Sequence, residues 1–158
     1  MEVRRRGMDS DPREQGVVSP VQDAATFIAS VYEMVRSRDL DGLVNLFAED
    51  CVFVDVPLSE SAQGREAFRS YMEETLLGLP DFQPDSWTFV AEGNRVAAEL
   101  VLVGTHRGSF MGYAPTQRVV RWQASAFYTL SPEHDQVVRE VYYYDLESLT
   151  SQLGNGNA

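Results

Sequence analysis

Lysine is absent from this sequence, and all 13 basic residues are arginine. Without a lysine amine the chain has no side chain for Schiff-base chemistry on a carbonyl substrate. The same bias fits a GC-rich coding sequence and says nothing about mechanism. Cysteine is limited to Cys51, so no disulfide can form within the chain and the fold needs no oxidising compartment. In the run Cys51-Val-Phe-Val the thiol reads as a small buried hydrophobe. Histidine occurs only at His106 and His134, which lack metal-ligand spacing. No apolar run approaches the ~18 residues of a membrane span. Arg4-Arg5-Arg6 is not followed by the apolar stretch of a secretory signal. A cytoplasmic location is therefore expected.

Positive charge is also scarce, 13 bases against 24 acids, for a formal net charge of −11. Such a surface repels phosphate backbones and anionic lipid, so neither nucleic acid nor a membrane is expected as a partner. A Gly-rich phosphate loop, a dinucleotide fingerprint and a Ser or Cys nucleophile paired with a base are all missing. These absences leave a small, neutral, mostly apolar ligand, with no cofactor and no metal.

What is present is apolar and aromatic. Of 158 residues 44% are hydrophobic, including 8 Phe, 7 Tyr and 2 Trp, enough to bury a sizeable core in one domain. Residues 1–19 are rich in Arg, Asp, Gly and Pro without an apolar period and read as a flexible leader. Residues 20–154 read as a single domain and 155–158 as a tail. Ser19-Pro20 opens a helix, Ser as cap and Pro at its first position. Ala24, Phe27, Ile28, Val31 and Val35 give that helix one buried stripe. A second, shorter helix runs from Asp39 to near Asp50, and Cys51 to Val56 reads as a strand stopped by Pro57. Leu58 to Gly64 reads as a loop, and Arg65 to Leu77 as a third helix.

Strand patterns follow at Ser86–Glu92, Arg95–Arg107, Arg118–Leu130 and Val137–Tyr144. Gly93-Asn94 marks a hairpin, and Gly108 to Thr116 forms a Gly/Pro loop. Leu146 to Leu153 closes the chain as a short helix. Helices first and a strand meander after define an α+β fold. The long strands are apolar on both faces: Ala97, Val101 and Val103 oppose Val96, Leu100 and Leu102. One face packs on the helices and the other needs a second cover, which predicts a homodimer through the sheet.

Three segments carry a resemblance. They are Arg38-Asp-Leu-Asp-Gly-Leu-Val-Asn-Leu-Phe-Ala-Glu-Asp50 with the strand and Gly64-Arg-Glu-Ala after it; Gly104-Thr-His-Arg-Gly-Ser-Phe-Met-Gly-Tyr-Ala-Pro-Thr116; and Val141-Tyr-Tyr-Tyr-Asp-Leu-Glu-Ser-Leu-Thr-Ser-Gln-Leu-Gly154. The first resembles the nuclear transport factor 2-like superfamily. The second and third resemble the SnoaL-like polyketide cyclase family, with its Gly-Thr-His-x-Gly loop and Asp…Gln-Leu-Gly ending. The likeness runs from about Val21 to Gly154. It implies a curved antiparallel sheet that makes a cone with the N-terminal helices around an internal pocket. The implied activity is a cofactor-free, aldol-type ring closure of a poly-carbonyl intermediate in natural-product (antibiotic) biosynthesis. This fold hosts many chemistries. Isomerisation, epoxide hydrolysis and dehydration in the same pocket, or binding without catalysis, are the alternatives.

By that resemblance Asp145 is the general acid/base, because an aspartate in this place has that proposed role in SnoaL-like cyclases. An acid in an apolar pocket has its charged form disfavoured, which brings its pKa toward working pH. The other reading of Asp145 is a cap on the helix that follows. Asp55 shares a strand face with Cys51 and Phe53 by the two-residue period. It stands where ketosteroid isomerases carry their base, or else bonds loop amides before Pro57. The tyrosine that stabilises the oxyanion in those isomerases falls on Val31, with Tyr32 one step off. His106 ends a strand beside the Gly108 loop, to bond a carbonyl, shuttle a proton or hold local backbone. Limonene epoxide hydrolases use Arg-x-Asp, and here Arg121-Trp-Gln123 departs from it with Gln in the acid's place. Tyr32, Phe53, Trp87, Trp122, Phe127, Tyr128 and Tyr143 are the expected aromatic lining, and Ala124 and Ala126 between aromatics leave room for a planar ring.

Overall fold

The computed structural model describes residues 20–154. The expected leader, the Ser19 cap and the tail lie outside the described residues. Helix α1 (Pro20–Ser37) buries Ala24, Ile28, Val31 and Tyr32 along one stripe. Helix α2 (Leu40–Asn45) starts at Asp39, whose carboxyl accepts the Gly42 amide at 2.8 Å. Strands β1 (Phe47–Asp55) and β2 (Glu60–Gln63) precede helix α3 (Arg65–Gly78). Strands β3 (Gln83–Glu92), β4 (Arg95–Thr105), β5 (Val119–Leu130) and β6 (Val137–Tyr144) lead to helix α4 (Leu146–Gly154). Helix α1 packs on β3 and β4, α3 on β1 and β2, and α2 bridges α1 and α3.

The six strands form one open sheet in the order β2-β1-β6-β5-β4-β3. Three expectations are corrected here. The sheet is antiparallel except between β1 and β6, which run parallel because a long crossover through α3 and the β3–β5 meander separates them. The stretch expected as a loop after Pro57 contains β2, which pairs with β1 from Val52↔Gln63 to Asp55↔Glu60. Helix α2 also ends earlier than expected, and 47–50 belong to β1. Between Phe47 and Val52 the register against β6 shifts, so residues 47–51 have no regular alternation to betray a strand. The Arg65 guanidinium donates from Nε and Nη2 to the Phe47 carbonyl at 2.8 and 2.6 Å, which pins this irregular stretch to α3.

On β4 and β5 the period-2 alternation is clean. Val96, Ala98, Leu100 and Leu102 face the helices, as do Val120, Trp122, Ala124, Ala126 and Tyr128. Residues 106–118 connect these strands and dock on the end of α3, where the amides of Arg107 and Gly108 both donate to the Gly78 carbonyl at 3.0 Å. A Cβ on Gly108 would fall 2.1 Å from the Leu77 carbonyl oxygen, so only glycine allows this approach. The docked strap carries Ser109, Phe110 and Met111 to the mouth of an internal cavity.

Candidate active site

Between the inner face of the sheet and helices α1 and α3 lies a cavity of ≈ 370 Å³. A void of even one methyl group costs about 1 kcal/mol of packing, which makes a hollow this size the candidate ligand site. Sheet register builds its floor in rows. Phe53, Glu140 and Tyr128 are neighbours across β1, β6 and β5, and Asp55, Tyr142 and Ala126 form the next row. Tyr144 and Ala124 form the third. The small side chain of Ala126 keeps the floor low between Trp122 and Tyr128. Helix α1 supplies Tyr32 to the walls, and α3 supplies Tyr71, Met72 and Thr75.

Sequence reasoning missed Glu140. It lies on the cavity wall, buried, and its Oε1 accepts from the Tyr128 hydroxyl at 3.2 Å. Burial pushes its carboxyl up from 4.5 to about 8, against a smaller downward pull from the Tyr128 hydrogen bond. Glu140 is therefore favoured in its protonated form at neutral pH. The Tyr128 hydroxyl is also 3.0 Å from the Tyr32 hydroxyl. Tyr128 has one hydrogen for two neighbours, so the direction of the chain follows the charge on Glu140. With Glu140 neutral, its hydrogen goes to Tyr128, that of Tyr128 goes to Tyr32, and Tyr32 keeps a free hydrogen for a ligand. With Glu140 ionised, every hydrogen turns toward the carboxylate. Burial raises the pKa of Tyr32, Tyr128 and Tyr142, so all three stay phenols at neutral pH.

Asp55 is fully buried, as its strand parity predicts, but it stands behind the cavity wall. Its carboxyl accepts from the Leu58 amide at 3.1 Å, from Tyr71 at 2.8 Å and from Tyr144 at 3.3 Å. Tyr142 receives the Trp122 indole N–H at 2.9 Å. Glu60 and Glu74, both exposed, stand at the mouth and keep it acidic.

The other expected residues divide. Tyr32, Phe53, Trp122 and Tyr128 line the cavity. Trp87 does not; it packs edge-on against Tyr32 at 5.3 Å, under the Arg36 guanidinium. Tyr143 is 44% exposed on the outer face of the sheet beside Phe127, because it pairs with outward-facing Ser125. Asp145 is also outside: it is exposed, and its Oδ1 accepts the Ser148 amide at 2.9 Å as the cap of α4. Asp145 is not among the residues that line this cavity; with Trp87 and Tyr143 it borders a second groove. His106 is fully buried but off the cavity lining. Its Nδ1 meets the Thr116 hydroxyl at 3.2 Å and accepts the Thr116 amide at 3.3 Å, so it ties the two ends of the strap. Nε2 has no partner among the described residues. Among the described residues no three His, Cys, Asp or Glu side chains converge on a point that could hold a metal, and no helix is long and apolar enough to cross a membrane.

An open curved sheet wrapped on helices around an internal hollow, with an acid and a ring of phenols on its wall, is the ketosteroid isomerase-like fold. Residues 22–153 match the SnoaL-like polyketide cyclase family, and the chain belongs to that family. Among solved structures it is similar to AclR of Streptomyces galilaeus, provisionally assigned as a hydroxylase: 23% identity over 85% of this chain and 98% of that one, TM-score 0.75. It is similar to IdmH of Streptomyces antibioticus, provisionally a polyketide cyclase, at 26% identity over 83% and 98% of the two chains, TM-score 0.71. A protein of ketosteroid isomerase-like fold from Catenulispora acidiphila, solved with trimethylamine, shares 18% identity over 81% and 92%, TM-score 0.69. Among curated proteins no sequence matches this chain.

Proposed function

We propose that this protein is a cofactor-free, polyketide cyclase-type enzyme that closes a ring within a small, neutral poly-carbonyl substrate by acid/base chemistry. The observation that carries the reading is Glu140, a carboxyl held near neutrality on the wall of an apolar cavity. Its ionised form takes a proton from a carbon next to a substrate carbonyl, and the C–H electron pair becomes an enolate. The enolate carbon attacks a second carbonyl of the same molecule, forming a C–C bond and an alkoxide. The alkoxide takes the proton back from Glu140, directly or through Tyr128 and Tyr32, so no atom is gained or lost. Apolar walls hold the reacting carbons together, which supplies much of the rate. Membership of the family favours ring closure over double-bond isomerisation, which shares the enolate step.

The enolate step can be tested without the natural substrate, by following α-hydrogen exchange of 2-tetralone in deuterated water by NMR. The wild type should accelerate exchange, with a rate that is half-maximal near pH 8 and levels off above it as Glu140 ionises. Glu140→Gln should lose about 10²–10⁴-fold. Binding of the ketone with no acceleration would instead support a carrier. Full activity in Glu140→Gln would remove Glu140 from the chemistry.

We also propose that the protein works as a homodimer through the outer face of the sheet. Val90, Val119, Phe127 and Tyr143 stand there 44–76% exposed, an apolar surface for which a second copy is the simplest cover.

A further inference from the structure

Asp55 presents an oddity: it is fully buried in a site that exchanges protons, yet two tyrosines screen it from the cavity. The hydrogens of Tyr71 and Tyr144 both point at its Oδ2, at 2.8 and 3.3 Å. A phenol has one hydrogen and two lone pairs. With its hydrogen held by Asp55, each of these oxygens has only lone pairs left. Burial keeps Tyr71 and Tyr144 in the phenol form, and Asp55 beside them reinforces it. Both tyrosines line the cavity, Tyr144 nearest the acidic mouth at Glu60. This end of the hollow therefore offers acceptors.

The Glu140 row has the opposite polarity: neutral Glu140 and the Tyr32 hydrogen that it frees are donors. Between the two, in the Asp55 row and with its ring 4.7 Å from that of Tyr144, Tyr142 accepts the Trp122 N–H at 2.9 Å, and among the described residues its own hydrogen meets no acceptor. The Asp55 row lies two residues along β1 from the Phe53–Glu140 row, or ~7 Å at strand rise.

We propose that Asp55 is a positioning residue that orients Tyr71 and Tyr144 as a clamp for a ligand hydroxyl, so that the substrate lies with a phenol or enol O–H at the mouth and a carbonyl at the Glu140–Tyr32 end. This rests on the reading of the cavity as a carbonyl site and adds its direction and its selectivity. A ligand with an ether or ester in place of the hydroxyl brings oxygen lone pairs against the lone pairs of the clamp, and loses the bond besides.

The test uses binding by calorimetry of 6-hydroxy-2-acetylnaphthalene and of its methyl ether, read as the ratio of their affinities. Wild type should favour the free hydroxyl about tenfold or more, the worth of one desolvated hydrogen bond. Asp55→Asn is diagnostic because the Leu58 amide needs an acceptor at the Oδ1 position, which turns the new NH₂ toward the tyrosines. The amide then donates to the phenol oxygens, frees their hydrogens for the cavity, and reverses the preference toward the ether. A merely structural role would lower both affinities and leave their ratio alone. If Asp55→Asn does not fold, Tyr71→Phe with Tyr144→Phe should bring the ratio to about one.

Equal binding of the two probes by wild type would overturn the clamp, as would a wild-type ratio in either variant, or the failure of both probes to bind. None of these outcomes touches the proton-exchange reading, which stands or falls on 2-tetralone, a ketone with no hydroxyl for the clamp.

Discussion

Replacing Glu140 by glutamine keeps the shape of the side chain and removes its ability to ionise, so it isolates what the buried charge does to the fold. In the folded protein Glu140 titrates at about 8, against 4.5 when exposed. Between those values the folded state holds a proton that the unfolded chain has released, so wild-type stability falls as pH rises across this window. The penalty is absent below about pH 4.5, grows through neutrality, and is complete above about pH 8. Each pKa unit is worth about 1.4 kcal/mol, which puts the full effect on the order of 5 kcal/mol. That is a large share of the ~5–15 kcal/mol that holds a domain together. The assay is urea unfolding of both proteins, at one concentration, from about pH 5 to about pH 8.5. Every other titrating group is common to the two chains, so the difference between them isolates Glu140. The Gln variant should gain on wild type by roughly 3–5 kcal/mol from the acid end to the alkaline end. Parallel stability curves would mean that Glu140 titrates as an exposed carboxyl, and the acid/base reading of the cavity would fall with it.

Asp145→Ala should lower stability by about 1 kcal/mol through the lost cap on α4 and leave 2-tetralone exchange intact. A drop in exchange beyond about tenfold, with the fold preserved, would return Asp145 to the chemistry. For the proposed dimer, sedimentation should give about twice the 17.7 kDa chain mass at micromolar concentration. Phe127→Glu, which places a charge on the exposed outer face, should return it to the monomer mass. A wild-type monomer at all concentrations would refute the dimer.

Much of the fold was legible because it rests on local signals. The apolar stripe of α1, the Gly93-Asn94 hairpin and the alternation of β4 and β5 need no distant partner to be recognised. Features decided by pairing were not legible. Residues 60–63 carry Glu, Ser and Gln and read as a loop; they are a strand because β1 lacks a partner on that side and α3 begins at Gly64-Arg65. The parallel pairing of β1 with β6 depends on the 81 residues of chain between Asp55 and Val137, which no short window contains.

At the site, one question of parity governs what was found and what was missed. Strand β6 has Arg139, Val141 and Tyr143 on one face and Glu140, Tyr142 and Tyr144 on the other. Each face carries one charge and at least one tyrosine, so hydropathy does not say which is inside. The answer comes from β5, whose inward set of Trp122, Ala124, Ala126 and Tyr128 is plain, once the register Ala126↔Tyr142 is known. That register is set by the turn at 131–136 and the irregularity at Thr129/Leu130. Taking the wrong face of β6 puts Tyr143 in the pocket and hides Glu140. Asp145, next after Tyr144, then follows Tyr143 to the outer side by the same parity.

The placement of Glu140 also indicates how ligand and acid act on each other. Any water that reaches the carboxyl in the free protein eases its charged form. An apolar substrate that fills the cavity removes that water and disfavours the charge further, so the pKa of Glu140 should rise on binding. A carbonyl pressed against the neutral acid adds a hydrogen bond that the carboxylate cannot make, with the same sign. The bound complex therefore tends to hold Glu140 as the acid, and the base is scarcer in it than in the free protein. In the proposed mechanism the Tyr142 hydrogen would offset this by stabilising the enolate as it forms, where the low-polarity wall makes one donor count for more than it would in water. An acid that is costly to ionise and a phenol aimed at the developing charge are thus complementary: the first makes the return of the proton easy, and the second makes its removal possible.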